Sequence, residues 1–209
     1  MQNDKNITII KRAILRFLIL ALLVALPVLC IRIDIFYFDN HLGELSLTEL
    51  LQESMLLIAT CLFALIAKHQ PETRHAYLLV TGFFACLFIR ELDAFFDLIY
   101  HGFWIIPALL VALSAIGYAA KQPQKTIQGL CEHVQNKNST SMMVGLAILL
   151  VFSRLFGMGS LWEGILGDDF VRTVKNIAEE GTEVLGYVMM FYSALCYYID
   201  SKRSLASQK

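Results

Sequence analysis

Carboxylates collect at one end of the hydrophobic segments of this chain, where the spacing of acids and arginines could hold protons or a cation. Glu49 and Glu53 open the second segment, and Arg90, Glu91, Asp93 and Asp97 close the third. Arg154 closes the fifth, and Glu179, Glu180 and Glu183 open the sixth. Ionisable groups at membrane depth are costly, so they mark a functional site by default. If these side chains share one weakly solvated pocket, eight carboxylates face two arginines. Such an excess cannot stay fully ionised: some carboxyls keep a proton, or a cation sits among them.

Each residue also has a structural reading. Ser46-Leu-Thr-Glu49 fits a capping box, and Asn176-Ile-Ala-Glu179 can be read in the same way. Glu49, Glu179 and Glu180 would then be favoured by the dipole at a helix start. Glu53 and Glu183 lie four residues beyond these caps, on the same face and one turn deeper, where capping does not need them. Tyr187 follows Glu183 at the next turn, and Gly186 lets a neighbouring helix approach closely. Arg90, Asp93, Asp97 and His101 form one stripe if the third helix runs that far, with Glu91 about 100° away. The alternative there is a solvated helix end. Arg154 either neutralises an acid or snorkels to the interface.

The elements that must carry these residues are membrane helices. The chain has 209 residues, is 57% hydrophobic and 17% charged, and has a mean hydropathy of +0.60. A soluble domain would carry about 25% charged residues. A net charge of −1 offers no basic stripe for nucleic acid. The apolar pattern predicts a single all-α domain, residues 1–209, built as a bundle of six transmembrane helices. The spans fall at about 12–31, 46–68, 76–98, 102–120, 141–160 and 175–199. Connections are expected around 32–45, 68–75, 121–140 and 161–174. No small-residue cleavage site follows the first segment, which therefore reads as an uncleaved span. Five scattered cysteines without a CxxC pair give no disulfide framework.

With the N-terminus in the cytoplasm, twelve of the seventeen Lys and Arg fall on the inner side. The positive-inside rule then predicts an inner-membrane protein with both termini cytoplasmic. Fourteen of the eighteen acids fall at or near the outer face. Segments one and four, nearly free of charge, read as lipid-facing or structural. The other four have apolar runs too short to span alone, which points to a polar cavity between them.

Three functions compete for such a cavity. In the first, Glu53, Asp93, Asp97 and Glu183, with His101 nearby, hold a divalent metal that acts on a lipid or headgroup, while Arg90 or Arg154 positions an anionic group. There is no HExxH signature. The only Glu-x-x-His, Glu72 to His75, lies on the inner side. In the second, the carboxylates relay cations or protons, although transporters place such sites near the midplane. In the third, the charges dock a partner without catalysis. Polar contacts between membrane helices contribute about 0.6 kcal/mol on average, so packing alone is a poor reason for ten charges.

The strings Arg90-Glu91-Leu92-Asp93 and Glu179-Glu180-Gly-Thr-Glu183-Val-Leu-Gly186-Tyr187, with the Glu49/Glu53 pair, resemble a group of small uncharacterised bacterial inner-membrane proteins. The resemblance covers three spans and implies no activity. The expectation is a site of Glu53, Arg90, Glu91, Asp93, Asp97 and Glu183, supported by Glu49, His101, Arg154, Glu179, Glu180 and Tyr187. It opens to the periplasmic side and takes a cation or protons, with membrane lipids as neighbours.

Overall fold

The computed structural model describes residues 2–38 and 46–207, and these are helical, with no strand among them. The elements are α1 (Gln2–Phe36), α2 (Leu47–His69), α3 (Arg74–Glu91), α4 (Asp93–Asp97), α5 (Ile105–Ala119) and α6 (Pro123–Gln135). They continue with α7 (Ser139–Ala147), a π-helical turn (Ile148–Phe152), α8 (Ser153–Phe156), α9 (Gly159–Leu166) and α10 (Arg172–Ser207). Three continuous stretches are long and apolar enough to cross a membrane: Lys5–Phe36, Leu47–His69 and Ser139–Phe156. A fourth crossing is available if α5 and α6, bent by 106° at their junction, count as one broken span. Among the described residues the protein is thus all-helical, with three or four segments long and apolar enough to span a membrane.

Local chemistry fixes the helix ends. Ser46 caps α2 in an extended conformation, its Oγ accepting from the Glu49 amide at 3.1 Å. A second cap comes from α1. Both oxygens of Asp34, which is 0% exposed, accept from the start of α2: the Leu47 amide at 2.7 Å, and the Thr48 amide and hydroxyl at 2.9 and 2.5 Å. At the other end of α2, Lys68 and His69 complement the negative end of the dipole.

Helices α2, α3 and α10 form the centre. Phe63, Phe84, Tyr187, Val184 and Leu149 are buried there. The helix containing α7 and α8 packs on α10, α5 packs on α3, and α1 lies against α10 and α2. In α1 and α5 most large apolar side chains face outward, as expected for lipid-facing segments. One crossing is set by glycine. A Cβ on Gly145 would lie 2.8 Å from the Gly186 carbonyl, and one on Gly186 would lie 3.0 Å from the Gly145 carbonyl. The close approach foreseen at Gly186 is therefore to α7.

Several boundaries depart from expectation. The third segment does not continue through Asp97. It stops at Glu91, Leu92 turns back with its amide on Phe88 and Arg90, and Asp93 starts a separate short helix by accepting from the Ala94 amide at 2.8 Å. The expected loop at 121–140 contains α6, started by Pro123 at its first position and tied to α5 by the Thr126 hydroxyl on the Ala119 carbonyl, 2.8 Å. The expected loop at 161–174 holds α9 and the first residues of α10. Because α10 begins at Arg172, Asn176 lies inside the helix and no capping box forms there. Of the connection at 32–45, α1 occupies the first part, and residues 39–45, including His41, lie outside the described residues.

Candidate functional site

Four helical segments bring charged side chains to one end of the bundle. From α3, Glu91 reaches inward: its Oε1 accepts from Arg90 Nη1 at 2.6 Å and from the Tyr187 hydroxyl of α10, also at 2.6 Å. Both donors converge on one oxygen. The Glu91 side chain is 9% exposed and Tyr187 is 1% exposed. From α2, Gln52 is buried and its Nε2 donates to Glu180 Oε2 at 2.9 Å. These contacts fasten α2, α3 and α10 together at the same level.

The fourth contribution is Arg154 of α8. Its Nη2 lies 2.6 Å from Glu183 Oε1 and its Nη1 lies 3.3 Å from Glu179 Oε1. Glu183 is 4% exposed, and Oε1 has no aligned hydrogen-bond donor, so the Arg154 contact is an ion pair without hydrogen-bond geometry. Lys175 closes on the other oxygen of Glu179, one turn away on α10. The π-helical turn immediately precedes the Arg154 helix, and such turns are frequent at functional sites. By taking one more residue than an α-turn, it shifts every later position around the helix, Arg154 included. Gly157 completes the fit, since a Cβ there would lie 2.8 Å from the Glu179 side chain.

Glu53 is half-buried on α2, within electrostatic reach of Glu91. Glu183 is within reach of Glu180, Arg154, Glu91 and Arg90. Glu49 stands at the first turn of α2, as a capping residue should. The structure therefore gathers Glu53, Arg90, Glu91, Arg154, Glu179, Glu180, Glu183 and Tyr187.

It does not gather the rest of the stripe. Asp97 turns to its own chain, with Oδ2 2.7 Å from His101 Nδ1 and Oδ1 accepting from the Gly102 amide at 2.8 Å. Gly102 has φ +82°, a turn conformation that favours glycine. Asp93 is exposed and satisfied by the Ala94 amide. The expected divalent-metal set of Glu53, Asp93, Asp97 and Glu183 is not brought together as one group. Two members are spent on local backbone, and no three His, Cys, Asp or Glu among the described residues could hold a metal ion.

The sequence pattern gave no role to Asp34, Lys175 or Gln52. Gln52 could have been found as the polar residue of α2 next to the deeper glutamate. Lys175 is four residues before Glu179, the ordinary spacing of a helical ion pair. Asp34 meets Thr48 across a connection of unconstrained length, which leaves no spacing to recognise.

Chemically, the cluster is three small hydrogen-bonded groups, Arg90–Glu91–Tyr187, Gln52–Glu180 and Arg154–Glu179–Lys175, with Glu183 ion-paired to Arg154 among them. Glu53, Glu91, Glu179, Glu180 and Glu183 face Arg90, Arg154 and Lys175, so five carboxylates meet three cations. Compared with known proteins, the chain matches no family model, no curated protein and no solved structure.

Proposed function

We propose that this protein is a six-span inner-membrane protein with both termini cytoplasmic, whose periplasmic end carries a site that takes up protons or a small monovalent cation. The observation that carries this reading is Glu183. It is buried, its direct ion pair is with Arg154, and Glu180 and Glu91 act on it at the same time as the more distant Arg90. With two carboxylates more than cations in the cluster, charge balance needs a proton or a bound cation. In this reading α3 and α10 are spans whose charged ends face their neighbours instead of lipid. Proton or cation translocation is the active form of the reading, and static binding is its simplest form. The resemblance to small bacterial inner-membrane proteins with Arg-Glu-x-Asp and Glu-Glu-x-x-Glu strings fits the same placement.

A second reading keeps the site but changes its ligand. The Arg90 side chain is 36% exposed and only one of its nitrogens is taken by Glu91, so it could orient an anionic headgroup at the outer surface. Nothing in the arrangement of the described His, Cys, Asp and Glu residues favours the divalent-metal reading over these two.

Infrared difference spectroscopy on the purified protein in bilayer nanodiscs tests the first reading. A step from acid to neutral pH, or addition of sodium or potassium, should remove a carbonyl band of a protonated carboxyl, and Glu183→Gln should lack that band. A spectrum insensitive to pH and to both cations would refute it.

A further inference from the structure

The opposite end of the bundle carries basic residues that the function above does not use. The turn between α2 and α3 brings Lys68 and Arg74 together. They line a cleft of about 280 Å³ with Ala64, Ala67, Leu78 and Tyr118. Tyr118, on α5, is fixed by stacking on His75 of α3, with ring centroids 4.7 Å apart at 18°. Lys121 Nζ stands over the Tyr118 ring beside the cleft, 5.6 Å from its centroid.

Three observations give the cleft a ligand chemistry. First, its cations are uncompensated. Among the described residues no carboxylate pairs with Lys68, Arg74 or Lys121, whereas neighbouring Lys125 is taken by Glu72 at 3.5 Å. Arg74 spends only its Nε, on the Ala67 carbonyl at 3.2 Å, and keeps its remaining guanidinium donors. Second, the cleft is at the start of α3, an 18-residue helix with no side-chain cap, because the Thr73 hydroxyl donates to Gln70 instead. The free amides and positive dipole end of α3 offset the carbonyl end of α2 at the same turn and leave the cations to attract an anion. Third, the floor is apolar and low. Ala64, Ala67 and Leu78 line an apolar groove beside the cations. A polyvalent solute would use the cations but not the groove. A phosphodiester with an acyl chain uses both.

We propose that this cleft binds an anionic phospholipid of the inner leaflet, its phosphate held by Lys68, Arg74 and Lys121 and one acyl chain laid over Ala64 and Ala67. Basic pockets between helices on the cytoplasmic side take such headgroups. The proposal rests on the membrane-spanning reading above but not on the proton or cation site.

The test is native mass spectrometry of the full chain extracted in detergent and titrated with phosphatidylglycerol or phosphatidylcholine. Phosphatidylglycerol should bind in preference, and the pair Lys68→Gln with Lys121→Gln, both exposed, should weaken it about thirtyfold with the melting temperature unchanged. The control pair Lys5→Gln with Lys11→Gln should bind as the parent does. Equal retention of the two lipids, or equal loss in both pairs, would overturn the proposal. So would inorganic phosphate displacing the lipid, which would mark a free-anion site. Infrared bands at the other end are unaffected in every case, and carbonate washing of membranes tests insertion separately.

Discussion

Glu183 and Asp97 sit at the same end of the bundle and have the same functional group, yet their surroundings differ in kind. Glu183 is buried between α8 and α10, with an arginine on one side and two further carboxylates within reach. Asp97 is exposed and holds the Gly102 amide and His101, both from its own turn. Glu91 and Asp93 repeat the contrast two residues apart: one ties α3 to α10, the other caps its own helix. The difference arises where a helix stops. Side chains that leave from the body of a packed helix meet other helices. Those beyond its last turn meet their own backbone, because the four unsatisfied groups at each helix end are the nearest partners available.

That contrast is broken most severely by removing the charge of Glu183. Glu183→Gln should abolish the pH- or cation-dependent infrared response entirely, and with it any flux measured in liposomes, while Asp97→Asn retains both. If the two variants behave alike, the buried cluster has no privileged role. Next in size is the ion pair. Arg154→Ala leaves Glu183 without its direct ion pair. Breaking a fully buried pair costs about 3–5 kcal/mol, and with Arg154 partly exposed about 1–3 kcal/mol is expected in thermal or denaturant unfolding. Adding Glu183→Gln to Arg154→Ala should recover most of that loss. A double variant no more stable than Arg154→Ala would show that the two groups are not coupled.

The sequence made one part of this legible and hid another. Glu53 and Glu183 stood out because they lie a turn deeper than any cap requires, and Gly186 because a glycine beside Tyr187 has no other use on a packed face. Both features depend on helical periodicity within a segment, which sequence carries well. The stripe Arg90, Asp93, Asp97 and His101 also had helical periodicity, but the helix on which it depended ends at Glu91. Nothing in Leu92 announces that break, since leucine is a good helix former. Similarly, α6 looked like a loop because its residues are polar, although Pro123 at a first helical position was a usable signal. The Arg154–Glu183 pair joins residues 29 positions apart, and its geometry depends on a π-helical turn that no residue pattern specifies. Long-range pairs and helix irregularities are products of packing, so they become visible only in the folded chain.

Within the cluster, the Tyr187 hydroxyl measures how much of the contrast comes from hydrogen bonding. Tyr187→Phe removes one of two donors to Glu91 Oε1 and leaves Arg90 in place. Hydrogen bonds to charged groups are worth about 1.5–3 kcal/mol, and with the second donor retained the lower end of that range is expected for the loss of stability. A cost near zero would mean that Arg90 alone satisfies Glu91.

The smallest effect should come from the other region. In Asp97→Asn the side-chain oxygen can still accept from the Gly102 amide, and only the charged contact to His101, which is 99% exposed at its side chain, is lost. Exposed pairs of this kind are screened by solvent and contribute little. Unfolding midpoints for Asp97→Asn and His101→Ala should therefore be indistinguishable from the parent's, as is usual for surface substitutions. A larger loss, or a change in the infrared response, would place the Asp97–His101 turn against the buried carboxylates in the membrane-bound protein and make the two regions one site.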